Sequence, residues 1–280
     1  ELARKLEALE TKYDAQFSTT SMWPKFNPDR HYYVTRCVPG RVMVQVRSNP
    51  EVKVKVWANP AESGRYAAEA RPLPGQDFEV RIMPEGGQAE SYEVRCLPSN
   101  FPTWRYKRLR KPPKGMFMVS SYLTPGKTGR VWLIVFDQDG TPRWWYSPPY
   151  NTLGGQVLYD GTVQFPRGFG DGFGQDARTA TDIRDLDGNL VKTVRFDGAP
   201  TDGHEYYLLP NGNQLVMSYD PRYGVDLRPI GGRADRGVLD GAFQEQTPDG
   251  RVLWSWNSGD HIPLTGTPHR WWIREFNNPH

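Results

Sequence analysis

The sequence predicts an all-β protein in which a short N-terminal helix and a small β-sandwich precede the blades of a β-propeller. Three observations support this prediction. Apolar and polar residues alternate over short runs between residues 31 and 98. Turns that contain glycine recur at regular intervals after residue 115. The chain also combines 28 glycines and 25 prolines with 10 tryptophans and 14 tyrosines, a composition typical of turn-rich β proteins with aromatic cores.

Residues 1–30 are predicted to form an amphipathic helix followed by an extended segment. Five apolar residues between positions 1 and 17 have the spacing of one helix face: Leu2, Leu6, Leu9, Tyr13 and Phe17. Charged residues lie between them, as in a helix that docks one face on a protein surface. Residues 18–30 are rich in turn-forming types, so the helix is expected to end before them.

Residues 31–100 are predicted to form the β-sandwich, because their hydrophobic period is two. The alternating runs are Val42–Val46, Val52–Val56, Phe78–Ile82 and Tyr92–Cys96. Each run is bounded by proline, glycine or asparagine, which end strands. Several short strands at this spacing indicate two small sheets packed on one core.

The two cysteines, Cys37 and Cys96, follow similar Val-x-Arg and Glu-Val-Arg segments and each precedes a proline by two positions. A disulfide between them would join two predicted strands of the sandwich, which indicates an oxidising compartment. The alternative is a pair of buried free thiols in a cytosolic protein.

Residues 101–114 are predicted to be a basic linker between two domains. The segment carries six cationic side chains and ends near a Pro-Pro pair, which makes a linker stiff. We interpret its charge as solvation of the linker. An anion-binding strip is the alternative.

Residues 115–280 are predicted to form propeller blades. One series of turns contains Gly140, Gly188 and Gly250, and a second series contains Gly161 and Gly212. Each series repeats at about 50 residues, so two hairpins, and therefore four strands, fall in each unit. The stretch Pro221–Gly237 lengthens one interval and is expected to be an insertion.

The number of repeats is smaller than a closed ring needs. Three to four units of this period fit between residue 115 and the end of the chain, whereas propellers have about 4 to 8 blades. We therefore expect an incomplete ring that is closed by further chain, by a second copy of the protein or by a partner chain.

The Asn211-Gly212 pair lies between two apolar runs and predicts a tight hairpin. We expect a type I′ turn, which requires positive φ at both central residues. The preceding polar segment places Asp202 and His204 at the start of the first strand of this hairpin.

Several functions are not indicated by the sequence. The net charge of +3 is too small to favour nucleic-acid binding, and no apolar run approaches the ~20 residues of a membrane-spanning helix. Nucleotide-binding loops and the G-x-S-x-G motif are missing. The five histidines lack the spacing of metal ligands, so neither a metal nor a cofactor is predicted.

Three residues are the first candidates for chemistry. His204 stands beside Asp202 at the start of a strand, and His261 begins the loop after Trp254-Ser255-Trp256. Arg270 precedes two tryptophans. Propellers collect such residues at one mouth of the central channel, and an imidazole titrates near neutral pH and is nucleophilic. The alternative for each is a structural hydrogen bond in a turn.

The motif D-x-H followed by L-P-N-G-N-x-L, from Asp202 to Leu215, resembles the bacterial arylsulfotransferase family. The segment from Gln244 to Ile262 is similar to the actinobacterial branch of that family, as are the two cysteine frames. The resemblance covers residues 31–280.

The resemblance implies a secreted, periplasmic or cell-surface protein with an N-terminal β domain and a six-bladed propeller. The family moves a sulfuryl group from a phenolic sulfate donor to a phenol acceptor through a sulfohistidine. On this basis His204 and His261 are predicted to be catalytic, and Asp202, Asn213 and Arg270 to bind substrate. The family has a further histidine in an H-x-N-S motif beyond the matching segment, so His204 is expected to assist that nucleophile.

Two other functions remain open from the sequence. A secreted propeller without catalytic activity could use its aromatic residues to bind a ligand or a partner protein. A propeller with a quinone cofactor is the third reading, because the D-x-D-G turns followed by tryptophan resemble its blade pattern.

Overall fold

The computed structural model describes residues 15–37, 40–73, 75–110, 114–121, 129–152, 154–168 and 176–266. The regular secondary structure of the described residues is almost all β-strand, arranged in five small sheets. It divides into two compact units. The first comprises residues up to 117 together with residues 136–143, and the second comprises residues 118–135 and the chain from residue 144 onward.

The first unit contains two sheets. The first sheet has the order β1-β3-β5, with β1 at Ala15–Ser18, β3 at Val42–Ser48 and β5 at Arg65–Ala70. The second has the order β2-β7-β6-β4, with β2 at Tyr32–Arg36, β4 at Val52–Val56, β6 at Asp77–Pro84 and β7 at Glu90–Leu97. Strands β2 and β7 are parallel, and the other described pairs are antiparallel.

One hydrophobic core joins these two sheets. The strands β3, β4 and β6 alternate between buried and exposed residues, as their sequence period predicts. Val44 on β3 and Val80 on β6 are both fully buried in this core. The aromatic rings of Phe17, Tyr33 and Tyr92 lie within 6.4 Å of one another by centroid distance and fill its centre.

The predicted N-terminal helix is contradicted where the structure describes its end. Residues 15–17 belong to β1, which pairs antiparallel with β3, while residues 1–14 lie outside the described residues. Ala15 and Phe17 are buried and Gln16 is exposed, so the local period is two. The apolar residues from Leu2 to Phe17 have helical spacing, but Phe17 lies in a strand because its ring packs against Phe26 and Tyr33, which come later in the chain.

Cys37 and Cys96 form a disulfide, as predicted, and their Cα atoms are 5.6 Å apart. Cys96 lies on β7, and Cys37 directly follows β2. Replacing both cysteines with alanine should lower the free energy of unfolding by about 2–4 kcal/mol, because the open loop gains entropy in the unfolded chain. Urea denaturation followed by circular dichroism measures this change. Wild-type protein treated with reductant should show the same shift, and an unchanged midpoint in both samples would contradict the prediction.

Within the described residues 101–110, the aromatic side chains of the predicted linker pack against the first unit. Phe101 is buried, the Trp104 indole Nε1 donates a hydrogen bond to the Gly140 carbonyl at 3.0 Å, and the Tyr106 hydroxyl donates to the Gln138 carbonyl at 2.6 Å. The basic residues Arg105 and Lys107 alternate with these aromatic residues and stay exposed. The segment therefore binds to the first unit through its aromatic residues, and its charges face solvent.

Three further sheets follow along the chain. The first has the order β10-β9-β8, with β8 at Met116–Ser120, β9 at Leu133–Asp137 and β10 at Pro142–Tyr146. The next has the order β11-β12-β13-β14, at Gln156–Val157, Val163–Arg167, Ala180–Arg184 and Leu190–Val194. The last has the order β15-β16-β17-β18, at Thr201–Leu208, Gln214–Val225, Arg236–Gln246 and Val252–Asn257.

Two of these sheets have the four sequential antiparallel strands that the spacing of the glycine turns predicts. In each, the first hairpin contains a glycine of one series, Gly161 or Gly212, and the last hairpin contains Gly188 or Gly250 of the other. Consecutive sheets also share apolar clusters. Ile183 on β13 packs in one cluster with Tyr206 on β15 and Val216 on β16.

The turns themselves differ from the prediction. At Asn211-Gly212 only Gly212 has positive φ, at 85°. Its N–H donates to the Leu209 carbonyl at 2.8 Å, and the Leu209 N–H donates to the Asn213 carbonyl at 2.8 Å. This is a type I turn followed by a left-handed glycine, because Pro210 presets the first central φ at a negative value. The same two bonds recur at the turns of the other four glycines: Gly140, Gly161, Gly188 and Gly250.

The predicted insertion extends one hairpin. Strands β16 and β17 continue in register beyond the length of their neighbours and pair Pro221 with Leu239. A 3₁₀ turn at Arg228–Ile230 lies at the tip. Among the described residues, no helix has both the length and the apolar character needed to cross a bilayer.

Candidate functional site

Asp202 and His204 form a hydrogen-bonded pair at the start of β15. Residues two apart on a strand share a face, so the imidazole lies beside the carboxylate. His204 Nδ1 is 2.5 Å from Asp202 Oδ1, and the His204 backbone N–H also donates to that oxygen at 3.2 Å. Because an ionised carboxylate only accepts, a neutral His204 in this pair has its proton on Nδ1 and its lone pair on Nε2. The structure thus brings these two predicted site residues into contact.

The burial of the pair is strongly unequal. The Asp202 side chain is 1% exposed, whereas the His204 side chain is 39% exposed. Asp202 Oδ2 is buried and has no hydrogen-bond partner among the described residues. Burying an unpartnered carboxylate oxygen costs stability, and such groups in folded proteins commonly have a functional explanation.

The pairing of β15 with β16 is irregular around this pair. The register between β15 and β16 shifts between Thr201 and Tyr206, so the strand does not keep a regular ladder across Asp202 and His204. Irregular strand segments of this kind often re-aim side chains next to active sites. Glycine is required at position 203, between Asp202 and His204, because a Cβ atom there would lie 2.7 Å from Cβ of Pro166 on β12.

Tyr219 on β16 is the aromatic neighbour of His204. The two ring centroids are 6.0 Å apart and the planes are nearly perpendicular, at 74°. Burial raises the pKa of Tyr219 above its usual value of 10.0, and the charge of Asp202 raises it further. The phenol therefore keeps its proton at neutral pH and is a hydrogen-bond donor beside the imidazole.

A buried ionic network lies on the neighbouring sheet, next to Pro166. Asp182 on β13 is fully buried and accepts hydrogen bonds from Arg167 Nη2 at 2.7 Å and Thr193 Oγ1 at 2.9 Å. The Tyr150 hydroxyl donates to its other oxygen, and Arg184 Nη2 lies 3.7 Å from that oxygen. The network holds the guanidinium groups of Arg167 and Arg184 in place. Arg167 directly follows Pro166, the proline that lies against Gly203.

The pKa values follow from this geometry. Burial acts to raise the pKa of the Asp182 carboxyl, but the hydrogen bonds from Tyr150, Arg167 and Thr193 outweigh it and leave the pKa below its ordinary value. Burial raises the pKa of Tyr150 to about 12, and its bond to Asp182 acts in the same direction. Asp182 is therefore a carboxylate, and Tyr150 a neutral phenol, at neutral pH.

His261 lies in a different environment from His204. It ends helix α1, Ser258–His261, and its ring stacks on Trp256 with centroids 5.2 Å apart and planes 6° apart. Both side chains line a cavity of about 330 Å³. His204 is not among the described residues that line this cavity.

Asn213, another predicted site residue, lies apart from His204. Asn213 belongs to the turn beyond the opposite end of β15, and its amide donates to Glu245 Oε1 at 2.6 Å. Its observed contact stabilises the β16–β17 pairing. Arg270 lies outside the described residues.

Sequence reasoning missed Tyr219 and the Asp182 network. The sequence did contain a signal for Asp182, because this carboxylate stands at the centre of a short strand, Ala180–Arg184. Such a residue needs buried partners. Tyr219 had no comparable signal. Among the described residues, no group of three or more histidine, cysteine, aspartate or glutamate side chains is arranged to hold a metal ion.

Comparisons with known proteins give no family. No family model matches the chain, and no curated protein matches it. One solved structure with a detectable likeness is a protein of unknown function from Bacteroides caccae, with 13% sequence identity and a TM-score of 0.34. The alignment covers 84% of this chain and 83% of that one.

Proposed function

We propose that the protein transfers a sulfuryl group from a phenolic sulfate ester to a phenol, with His204 as the histidine that carries the group. The observation that supports this proposal is the 2.5 Å contact between His204 Nδ1 and Asp202 Oδ1. A carboxylate on Nδ1 fixes the tautomer that has its lone pair on Nε2, and it stabilises the positive charge that the ring gains on attack. The sequence favoured an assisting role for His204, whereas this contact favours direct attack.

The proposed reaction has two displacements. In the first, the His204 Nε2 lone pair forms a bond to sulfur and the bond between sulfur and the aryl oxygen breaks, so the electron pair leaves with the phenolate. The phenolate then takes a proton from solvent. In the second, the acceptor phenol oxygen attacks sulfur and loses its proton to solvent, and the electron pair of the nitrogen–sulfur bond returns to Nε2.

Neighbouring groups suit an anionic aryl substrate. The ring of Tyr219 offers an aromatic surface, and its protonated hydroxyl is a hydrogen-bond donor. Arg167 directly follows Pro166, which lies against Gly203, and its guanidinium is held by Asp182. Cations and hydrogen-bond donors stabilise the sulfuryl oxygens in the transition state.

The same proposal includes an architecture and a location. We propose that the first unit is a β-sandwich and that the sheets of the second unit are blades of a propeller, six-bladed in its complete form. The disulfide supports a secreted, periplasmic or cell-surface protein, because such bonds persist in oxidising compartments.

The test is covalent labelling with 4-nitrophenyl sulfate. The protein should release nitrophenol in a burst and gain the mass of one sulfuryl group, and peptide mapping should find the group on His204. Adding a phenol should remove the group and form a new aryl sulfate. Absence of both nitrophenol release and the mass increase would reject the proposal.

A binding function without catalysis is the second candidate. The cavity beside His261 favours it, because its walls combine aromatic rings with carboxylates. Those carboxylates repel sulfate esters, so we propose a ligand-binding role for His261 in place of the catalytic role that the family resemblance implies.

A further inference from the structure

The cavity beside His261 lies entirely within the second unit. The loop after β14 supplies Phe196 and Asp197, strand β16 supplies Asp220, and β18 with α1 supplies Trp256, Asp260 and His261. Its volume of about 330 Å³ is at the lower end of the range for small-molecule sites, about 300–1,000 Å³. A ligand of this cavity is therefore small.

The charge of the cavity is negative. Asp197, Asp220 and Asp260 line it, and neither lysine nor arginine occurs among its described lining residues. Asp220 Oδ2 accepts a hydrogen bond from Asn257 Nδ2 at 2.8 Å, a neutral partner that leaves the carboxylate charge uncompensated. Three carboxylates around one small cavity favour a cationic ligand.

Arg222, on which the charge of the lining residue Asp260 acts, is already paired with another carboxylate. Arg222 Nε lies 2.6 Å from Asp240 Oδ2, and its Nη2 lies 3.2 Å from Asp240 Oδ1. This two-point contact raises the pKa of the Arg222 guanidinium, with a smaller effect from Asp260. Since Asp240 balances Arg222, the net charge at the cavity stays negative.

The aromatic wall is held in place. Trp256 stacks on His261 at 5.2 Å and contacts Phe243 at a ring distance of 5.8 Å. Tryptophan gives the strongest cation–π interaction of the aromatic side chains. A wall of this kind beside carboxylates is the combination that binds alkylated ammonium groups in proteins.

The backbone of α1 supports the position of Asp260 and His261. Asn257 Oδ1 accepts a hydrogen bond from the Gly259 N–H at 2.8 Å, which caps the helix. A Cβ atom at Gly259 would lie 2.6 Å from Asp240 Oδ2, so glycine allows α1 to sit directly on the Arg222–Asp240 pair. The two lining residues are therefore fixed by contacts outside the cavity.

We propose that this cavity binds a small organic ammonium ion, with the cation on the Trp256 face and the charge balanced by Asp220 and Asp260. The proposal does not depend on sulfuryl transfer by His204, since His204 does not line this cavity. It assigns a cationic ligand to a site whose described lining residues include three carboxylates and neither lysine nor arginine.

Isothermal titration calorimetry with choline tests the proposal. Choline should bind at least tenfold more tightly than 3,3-dimethylbutan-1-ol, which has the same shape without the charge. The changes Trp256→Leu and Asp220→Asn should each weaken choline binding about tenfold, the order expected for one cation–π contact or one partly buried charge. The matched control is Asp226→Asn, which removes one carboxylate outside the cavity and should leave the affinity unchanged.

Equal affinity for choline and its neutral analogue would overturn the proposal, as would the lack of measurable choline binding. Unchanged affinity in Asp220→Asn would do the same. If Trp256→Leu does not fold, as judged by circular dichroism, Asp220→Asn and Asp260→Asn decide the question. Choline that binds without slowing 4-nitrophenyl sulfate turnover would separate this site from the one at His204.

Discussion

Replacing His204 with glutamine is expected to lower the rate of sulfuryl transfer at least ~1,000-fold and to abolish the covalent sulfuryl label. The reason is that glutamine has no nucleophilic nitrogen, and a thousandfold loss corresponds to about 4 kcal/mol of transition-state stabilisation. Nitrophenol release from 4-nitrophenyl sulfate gives the rate, and intact-protein mass spectrometry gives the label.

The partner change Asp202→Asn should also lower the rate, by about 1,000-fold, while the fold stays intact. Asparagine can donate to Nδ1 and so stabilise the tautomer whose proton is on Nε2, which removes the attacking lone pair. His31 provides the control, because His31 Nδ1 also makes a hydrogen bond, to the Ser91 carbonyl at 3.0 Å, but in the first unit. His31→Gln should leave the rate unchanged. A fully labelled His204→Gln protein would show that another residue carries the group.

The change Asp182→Asn is expected to lower the free energy of unfolding by about 3 kcal/mol. Asp182 is fully buried and holds Arg167, Arg184, Tyr150 and Thr193 together. Removing one member of a buried ionic network leaves its partners uncompensated, and this typically costs about 3–5 kcal/mol. We expect the lower end of that range, because the Arg167 side chain remains 25% exposed. Urea denaturation of the purified variant measures the change.

The pH dependence of stability should change in the same variant. The pKa of Asp182 is lower in the folded protein than its ordinary value of 3.8, so the unfolded chain takes up the proton first on acidification. The stabilisation is therefore fully present above about pH 4 and is lost as the pH falls through the lower, folded pKa. The Asp182→Asn variant should lack this contribution, so its free energy of unfolding should fall less than that of the wild-type protein on acidification below about pH 4.

An exposed ion pair offers the matched control. Asp226 forms a pair with Arg228 at 2.7 Å in which both side chains are solvent-exposed. Since exposed pairs contribute little to stability, Asp226→Asn should denature at the wild-type urea concentration at neutral pH. Equal destabilisation by both variants would show that burial of the Asp182 network is unimportant.

The sequence predicted the candidate site only in part. Asp202 and His204 could be paired from the sequence, because residues two apart on a strand share a face regardless of the rest of the fold. Tyr219 and the Asp182 network were missed, because their contacts join strands whose relative register no local pattern reports. His261 and Asn213 were assigned to one site with His204 from the family resemblance. In the structure His261 lines a cavity whose described lining does not include His204, and Asn213 bonds to Glu245.

The sequence alone determined the alternating strands and the positions of the five glycine turns, and it favoured the disulfide, since alternation, left-handed glycine and strand-end cysteines are local or nearly local properties. The tertiary structure decided the strand at Phe17, where helical spacing was overruled by packing against Phe26, Tyr33 and Tyr92. It also decided that Asp202 is buried and that three carboxylates line the same cavity as Trp256. Burial and charge at a site depend on residues far apart in the chain, and only the packed sheets bring those residues together.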